Sequence, residues 1–194
     1  VRTRENNLAA VGRAFDIYLL ANKLRLACLM ESHRAVFKAE YDTTFLPELL
    51  RFLAGNPLLE VPLVALYYYC HQSLTEGGEA DFRAFRSQLE SQSLALPPDE
   101  SRTLLLLAIN YCIRRLNTGE NRYVREAFEL YRIGLESGAL LENGHLSRFA
   151  FKNMVALGLH LEAFGWVAQF IGQYEPFLEE KYRAAHRDYN LAKL

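Results

Sequence analysis

Few residues in this sequence stand at spacings that could support catalysis or metal binding. Glu142 and His145 form a Glu-x-x-His unit, which helical di-metal proteins repeat on two helices so that the ligands converge. Here the unit occurs once and spans Asn143 and Gly144, a pair typical of a turn. We interpret it as a solvated loop, and we expect neither a metal ion nor another cofactor.

The cysteines do not have the neighbours that a catalytic thiol needs. Cys28, Cys70 and Cys112 lie inside apolar segments without an obvious base nearby, whereas a nucleophilic cysteine requires a group that stabilises its thiolate. An odd count without paired spacing favours reduced core cysteines, with a disulfide as the weaker alternative. Because no Gly-rich phosphate-binding motif is present either, we expect no enzymatic activity.

Asparagines at regular spacing are the strongest candidates for a binding site. Asn110 and Asn153 are 43 residues apart, and Asn190 follows 37 residues later. An Asn side chain donates and accepts hydrogen bonds, so a row of them can bind the backbone of a peptide. The alternative is that these asparagines fix helix packing or face solvent.

Cationic residues stand close to two of these asparagines. Lys152 precedes Asn153, and Arg114 and Arg115 lie one helical turn beyond Asn110. Such residues could bind a carboxylate of the same peptide. The sequence therefore predicts a peptide-binding set made of Asn110, Arg114, Lys152, Asn153 and Asn190.

Composition excludes several classes of protein. Of 194 residues, 51% are hydrophobic and 23% are charged, and the net charge is −1, which is typical of a folded globular chain. This balance gives no attraction to nucleic acid or to an anionic membrane. The longest strongly apolar run, 104–109, is far shorter than the roughly 18 residues that span a bilayer. We expect a cytoplasmic protein without nucleic-acid or membrane partners.

Helical periodicity extends through almost the whole chain and predicts about nine or ten helices joined by short turns. Leu24, Cys28 and Val36 fall on one face of the first helix, which we expect to be buried. Pro98 suits the first turn of a later helix, and Ser147 is a predicted N-cap. Short turns between helices of this length favour antiparallel hairpins.

Three segments at 65–91, 108–136 and 151–178 resemble the tetratricopeptide repeat (TPR). In the third, Phe151, Met154, Val155 and Gly158 match the bulky and small positions of a TPR's first helix, and Phe164 matches the turn aromatic. The spacings of 43 and 37 residues exceed the usual roughly 34, so the likeness is to a TPR-like repeat. The chain also resembles an uncharacterised group of bacterial TPR-like proteins, and that likeness implies no activity.

The resemblance implies an all-α, right-handed α-solenoid of antiparallel helical hairpins. It implies a single repeat domain over 1–194, with less regular helices at 1–60, hairpins over 61–194 and an incomplete last repeat of a longer chain. Such a fold is expected to bind a protein or peptide in a concave groove lined by the first helix of each hairpin. The alternatives are homo-oligomerisation through the terminal repeat, where Leu191 and Leu194 would be exposed, and a helical enzyme or nucleic-acid binder.

Overall fold

The computed structural model describes residues 5–75, 78–92 and 95–183, and these residues are helical almost throughout. The prediction of an all-α fold is therefore confirmed. Asn190, Leu191 and Leu194 lie outside the described residues. The chain divides into two compact units, Val1–Leu96 and Pro97–Leu194. The assignment of one repeat domain to the whole chain stays a prediction.

The first unit contains four α-helices and a short 3-10 turn at Pro57–Glu60. The helices are α1 (Glu5–Phe37), α2 (Leu46–Leu53), α3 (Pro62–Thr75) and α4 (Glu79–Gln92). Helix α3 packs between α1 and α4 and supplies most of the contacts of this unit. Its central residues Leu66, Tyr67 and Cys70 are fully buried because neighbours cover α3 on two sides.

Helix α1 is buried only along its middle. Leu24 and Cys28 are fully buried, as predicted, but Val36 is 69% exposed, so its placement on the buried face is wrong. The reason is the helical register. Val36 lies about 120° around the helix from Leu24 and two turns beyond the exposed Leu29, so it falls on the open side of α1. Helix α3 also has only 14 residues against 33 for α1, so it cannot cover both ends of α1.

The described residues of the second unit form four complete α-helices, a two-stranded hairpin, a 3-10 turn at Glu175–Phe177 and the helical segment 180–183. The elements are α5 (Pro98–Asn117), α6 (Tyr123–Glu136), β1 (Leu141–Glu142), β2 (His145–Leu146), α7 (Arg148–His160) and α8 (Phe164–Tyr174). Helix α5 packs on α6, α6 on α7, and α7 on α8. This chain of neighbours gives two successive helical hairpins, α5–α6 and α7–α8.

Local signals set the helix boundaries of the second unit. Pro98 opens α5, and the Ser147 hydroxyl caps α7 by accepting a hydrogen bond from the Phe149 N–H at 3.3 Å; both predictions are confirmed. The segment interpreted as a loop instead forms a tight hairpin. Asn143 and Gly144 both adopt positive φ, 51° and 77°, as the two-residue turn of a β-hairpin requires.

Aromatic side chains join α6, α7 and α8 in one continuous core. The Trp166 ring lies 4.6 Å from Phe128 and 5.2 Å from Phe170, and Phe170 lies 5.0 Å from Phe151, all between ring centroids. Phe128, Phe151 and Phe170 are buried. Ring contacts of this kind fix the positions of the helices more tightly than aliphatic contacts of equal area.

No helix among residues 5–75, 78–92 and 95–183 combines the length and the apolar character that crossing a membrane would need.

Candidate functional site

A groove of about 270 Å³ in the second unit contains one of the predicted binding residues. We call it the α5–α7 groove. Its walls are Ile113, Leu116 and Asn117 from α5, Asn121 and Val124 at the start of α6, and Asn153, Ala156, Leu157 and His160 from α7. The lining contains three asparagines, one histidine and no acidic side chain. It therefore offers hydrogen-bond donors and acceptors between apolar contacts, which suits a peptide backbone.

The two long walls of the groove occupy equivalent positions in successive hairpins. Helices α5 and α7 end at Asn117 and His160, which are 43 residues apart, the same offset that relates Asn110 to Asn153. Ile113 and Ala156 are related in the same way, and both line the groove. Two residue pairs with the spacing found in the sequence therefore lie in one groove.

Asn153 contributes both to the groove and to helix packing. Its Nδ2 donates a hydrogen bond of 2.9 Å to the Tyr131 hydroxyl on α6. Tyr131 is itself buried, and this burial raises the pKa of its phenol above the ordinary value even though the Asn153 bond acts in the opposite direction. The bond fixes the amide plane while the half-buried side chain still lines the groove.

Asn110 and Arg114 lie on the α5 face that leads into the groove. Asn110 is seven residues before the groove residue Asn117, about two turns, and Arg114 is three residues before it. Both side chains are exposed. Arg114 makes no ion pair within the described residues.

Lys152 is exposed on α7, four residues before the groove residue Ala156, and it too forms no ion pair within residues 5–75, 78–92 and 95–183. Arg115 behaves differently, because its Nε lies 2.7 Å from a Glu120 carboxylate oxygen and its guanidinium rests about 6 Å from the Tyr111 ring. Arg114 and Lys152 are therefore exposed cations near the groove residues of α5 and α7, without carboxylate partners in the part of the chain that the structure describes.

Sequence reasoning missed three polar groove residues, Asn117, Asn121 and His160. The available signal for two of them was the offset of 43, which pairs Asn117 with His160 in the same way as Asn110 with Asn153. Asn121 lies in the turn before α6, where no repeat spacing marks it. The structure places four of the five predicted residues on α5 and α7, and the fifth, Asn190, lies outside the described residues.

A larger cavity, of about 550 Å³, lies beside the β-hairpin, and its arginines and carboxylates already have partners among neighbouring side chains. Arg102 donates to the Glu142 carboxylate at 2.8 Å, and the Arg148 guanidinium lies over the Phe149 and Tyr182 rings. Glu142 is the cross-strand partner of His145. Within the part of the chain that the structure describes, no three His, Cys, Asp or Glu side chains are grouped to hold a metal ion.

Comparisons of the chain with protein-family models, with curated proteins and with solved structures find no match.

Proposed function

We propose that this protein is a non-enzymatic scaffold that binds an extended peptide segment of another protein in the α5–α7 groove. The observation that carries the proposal is that two residue pairs separated by 43 positions, Ile113 with Ala156 and Asn117 with His160, line one groove. A repeated face of this kind, between the first helices of two hairpins, is what a TPR-like solenoid would offer to a ligand. A right-handed superhelix would place these faces on its concave side.

The chemistry of the groove favours a segment that carries negative charge. Asn117, Asn121 and Asn153 can each pair with a peptide group through both a donor and an acceptor. Arg114 and Lys152 flank this row without carboxylate partners, and no acidic side chain lines the groove. We infer that the ligand is an acidic segment or a chain terminus whose carboxylate pairs with these cations.

Blocking the groove tests the proposal directly. Ala156 is exposed and lines the groove, whereas Ala168 is exposed on α8 and does not. Peptides selected by the native chain from a displayed random library should be acidic. Ala156→Glu should weaken their binding at least about ten-fold, through lost space and like charge, while Ala168→Glu should leave it unchanged. Fluorescence anisotropy with labelled peptides gives both dissociation constants.

A second pair of variants separates binding from folding. Asn153→Ala and Tyr131→Phe each remove the 2.9 Å hydrogen bond, but only Asn153→Ala removes a polar group from the groove. A groove binder should lose more affinity in Asn153→Ala than in Tyr131→Phe, at similar thermal stability. Equal affinity in Ala156→Glu and Ala168→Glu, or selected peptides without acidic character, would contradict the proposal.

A further inference from the structure

Helix α1 carries apolar residues on two opposite faces, and only one of them is covered. The covered face contains Leu24, Ala27 and Cys28 and packs on α3. The open face, which we call the α1 stripe, exposes nine large apolar side chains by 38% to 77% each. These are Leu8, Val11, Phe15, Tyr18, Leu19, Leu26, Leu29, Val36 and Phe37. Isolated exposed apolar residues are ordinary, but a continuous row along one helix marks an interaction surface.

The spacing of the α1 stripe is that of a helix that pairs with another helix. Leu8, Val11, Phe15 and Tyr18 alternate at intervals of three and four residues, which keeps them on one side of the helix. The next position in the series is Asn22. A single Asn at such a position is a known device that fixes the register of two paired helices.

The area of the stripe corresponds to that of a stable dimer. Large aromatic and aliphatic side chains that are 38% to 77% exposed contribute roughly 70 to 150 Å² each, so the nine expose on the order of 1,000 Å² per copy. A standard specific interface buries about 800 Å² per partner. The stripe alone is therefore large enough to hold two copies together.

Charge favours a second copy of this chain over a charged partner or a lipid surface. The stripe carries no charged residue from Leu8 to Asn22, so two copies can approach without repulsion and no counter-charge is required. A helix that binds an anionic membrane needs a polar face rich in Lys and Arg. Over the same stretch α1 carries one basic and one acidic residue, Arg13 and Asp16.

We propose that the α1 stripe is the interface of a homodimer in which the two α1 helices pair about Asn22. One N–H of the Asn22 amide donates to the Tyr18 carbonyl of the same helix at 2.8 Å, which leaves the amide oxygen and the second N–H for another partner. Asn22 lies at the centre of the stripe, equally far from Leu8 and Val36, so it faces Asn22 of the second copy in a parallel pair and also in an antiparallel pair that uses the whole stripe. In this register the two amides bond across the seam, whereas a shifted pair would bury Asn22 without a polar partner.

Sedimentation equilibrium of matched variants tests the dimer. Phe15 is 62% exposed on the stripe, and Phe52 is 55% exposed on α2. The native chain should be dimeric. Phe15→Glu should raise the dimer dissociation constant at least about 30-fold, as loss of an interface anchor does, and Phe52→Glu should not change it. The proposal would be overturned if the native chain stayed monomeric up to roughly 100 µM. It would also be overturned if Phe15→Glu left the dimer dissociation constant unchanged, as pairing through Leu191 and Leu194 would predict.

Disulfide trapping gives an independent test that does not depend on how Phe15→Glu folds. In a pair that uses the whole stripe, cysteines introduced by Asn22→Cys meet at the seam, whereas those from Arg13→Cys lie on the far side of each helix. The native cysteines are buried and will not interfere. Under mild oxidation Asn22→Cys should form covalent dimers much faster than Arg13→Cys. Equal rates for the two variants would refute pairing through the α1 stripe.

Discussion

Gly158 lies where α7 meets α8, and adding one methyl group there should weaken the second unit. A Cβ at this position would stand 2.5 Å from Cγ2 of Val167, 3.5 Å from Cε3 of Trp166 and 3.6 Å from Cε2 of Phe128. The first distance is far inside van der Waals contact. Val167 is fully buried and β-branched, so its methyl group cannot turn away without displacing α8.

Two opposing effects determine how much Gly158→Ala changes the free energy of unfolding. Overpacking a filled core costs about 1 to 3 kcal/mol, while replacing Gly by Ala inside a helix gains roughly 0.5 to 1 kcal/mol. Gly172 on α8 isolates the second effect, because a Cβ there meets no atom within 4 Å. Gly172→Ala should therefore stabilise the unit. The helix-propensity gain cancels between the two variants, so their free energies of unfolding should differ by about 1 to 3 kcal/mol.

Urea unfolding followed by tryptophan fluorescence measures this difference. Trp166 is the single tryptophan of the chain and packs against Phe128 and Phe170, so its emission reports the second unit. The order of stability should be Gly172→Ala, then native, then Gly158→Ala. If Gly158→Ala proved as stable as Gly172→Ala, the close approach of α7 to α8 would be refuted.

Three further predictions follow from individual contacts. Burial, reinforced by the neighbouring Cys70 thiol, raises the pKa of Cys28, so native Cys28 should resist alkylation at pH 8 and react once urea unfolds the chain. Burial and the Tyr123 hydroxyl, 3.3 Å away, raise the pKa of Tyr111 above its ordinary 10.0. The folded state therefore binds this proton more tightly than the unfolded state does. The protonated Tyr111 contributes its full stabilisation below about pH 10, and this stabilisation is lost as pH rises further. Tyr111→Phe should therefore reduce the loss of stability in alkaline urea titrations. Ser147→Ala removes the cap of α7 and should lower the free energy of unfolding by about 1 kcal/mol.

Local sequence signals were sufficient for the helices of the second unit. Pro98 and Ser147 mark helix starts because their preferred conformations act within one turn of the chain. The hairpin carried an equally local signal, since Asn143-Gly144 is the favoured dipeptide of a two-residue turn. The sequence nevertheless predicts a loop there, because the two strands contain only two residues each, too few to show the alternation of a strand.

The buried face of α1 could not be predicted in the same way. Apolar residues lie on two faces of this helix, so periodicity alone does not say which face is covered, or over what length. Burial depends on the partner, and α3 is 14 residues long against 33 for α1. Val36 lies two turns beyond the exposed Leu29 and about 120° around the helix from the buried Leu24, so it belongs to the open side of α1. A helix with two apolar faces therefore requires knowledge of its partner before either face can be assigned to the core.

The candidate site shows why sequence reasoning located a residue but not its full role. The repeat spacing singled out Asn153, with peptide binding and helix packing as alternative interpretations. In the structure one amide N–H packs the helices through Tyr131 and the side chain still lines the groove, so the two roles are compatible in one side chain. A hydrogen bond that holds the amide in place before a ligand arrives reduces the entropy lost on binding. Tyr131→Phe should therefore weaken peptide binding by a smaller factor than Asn153→Ala, because it frees the amide without removing it.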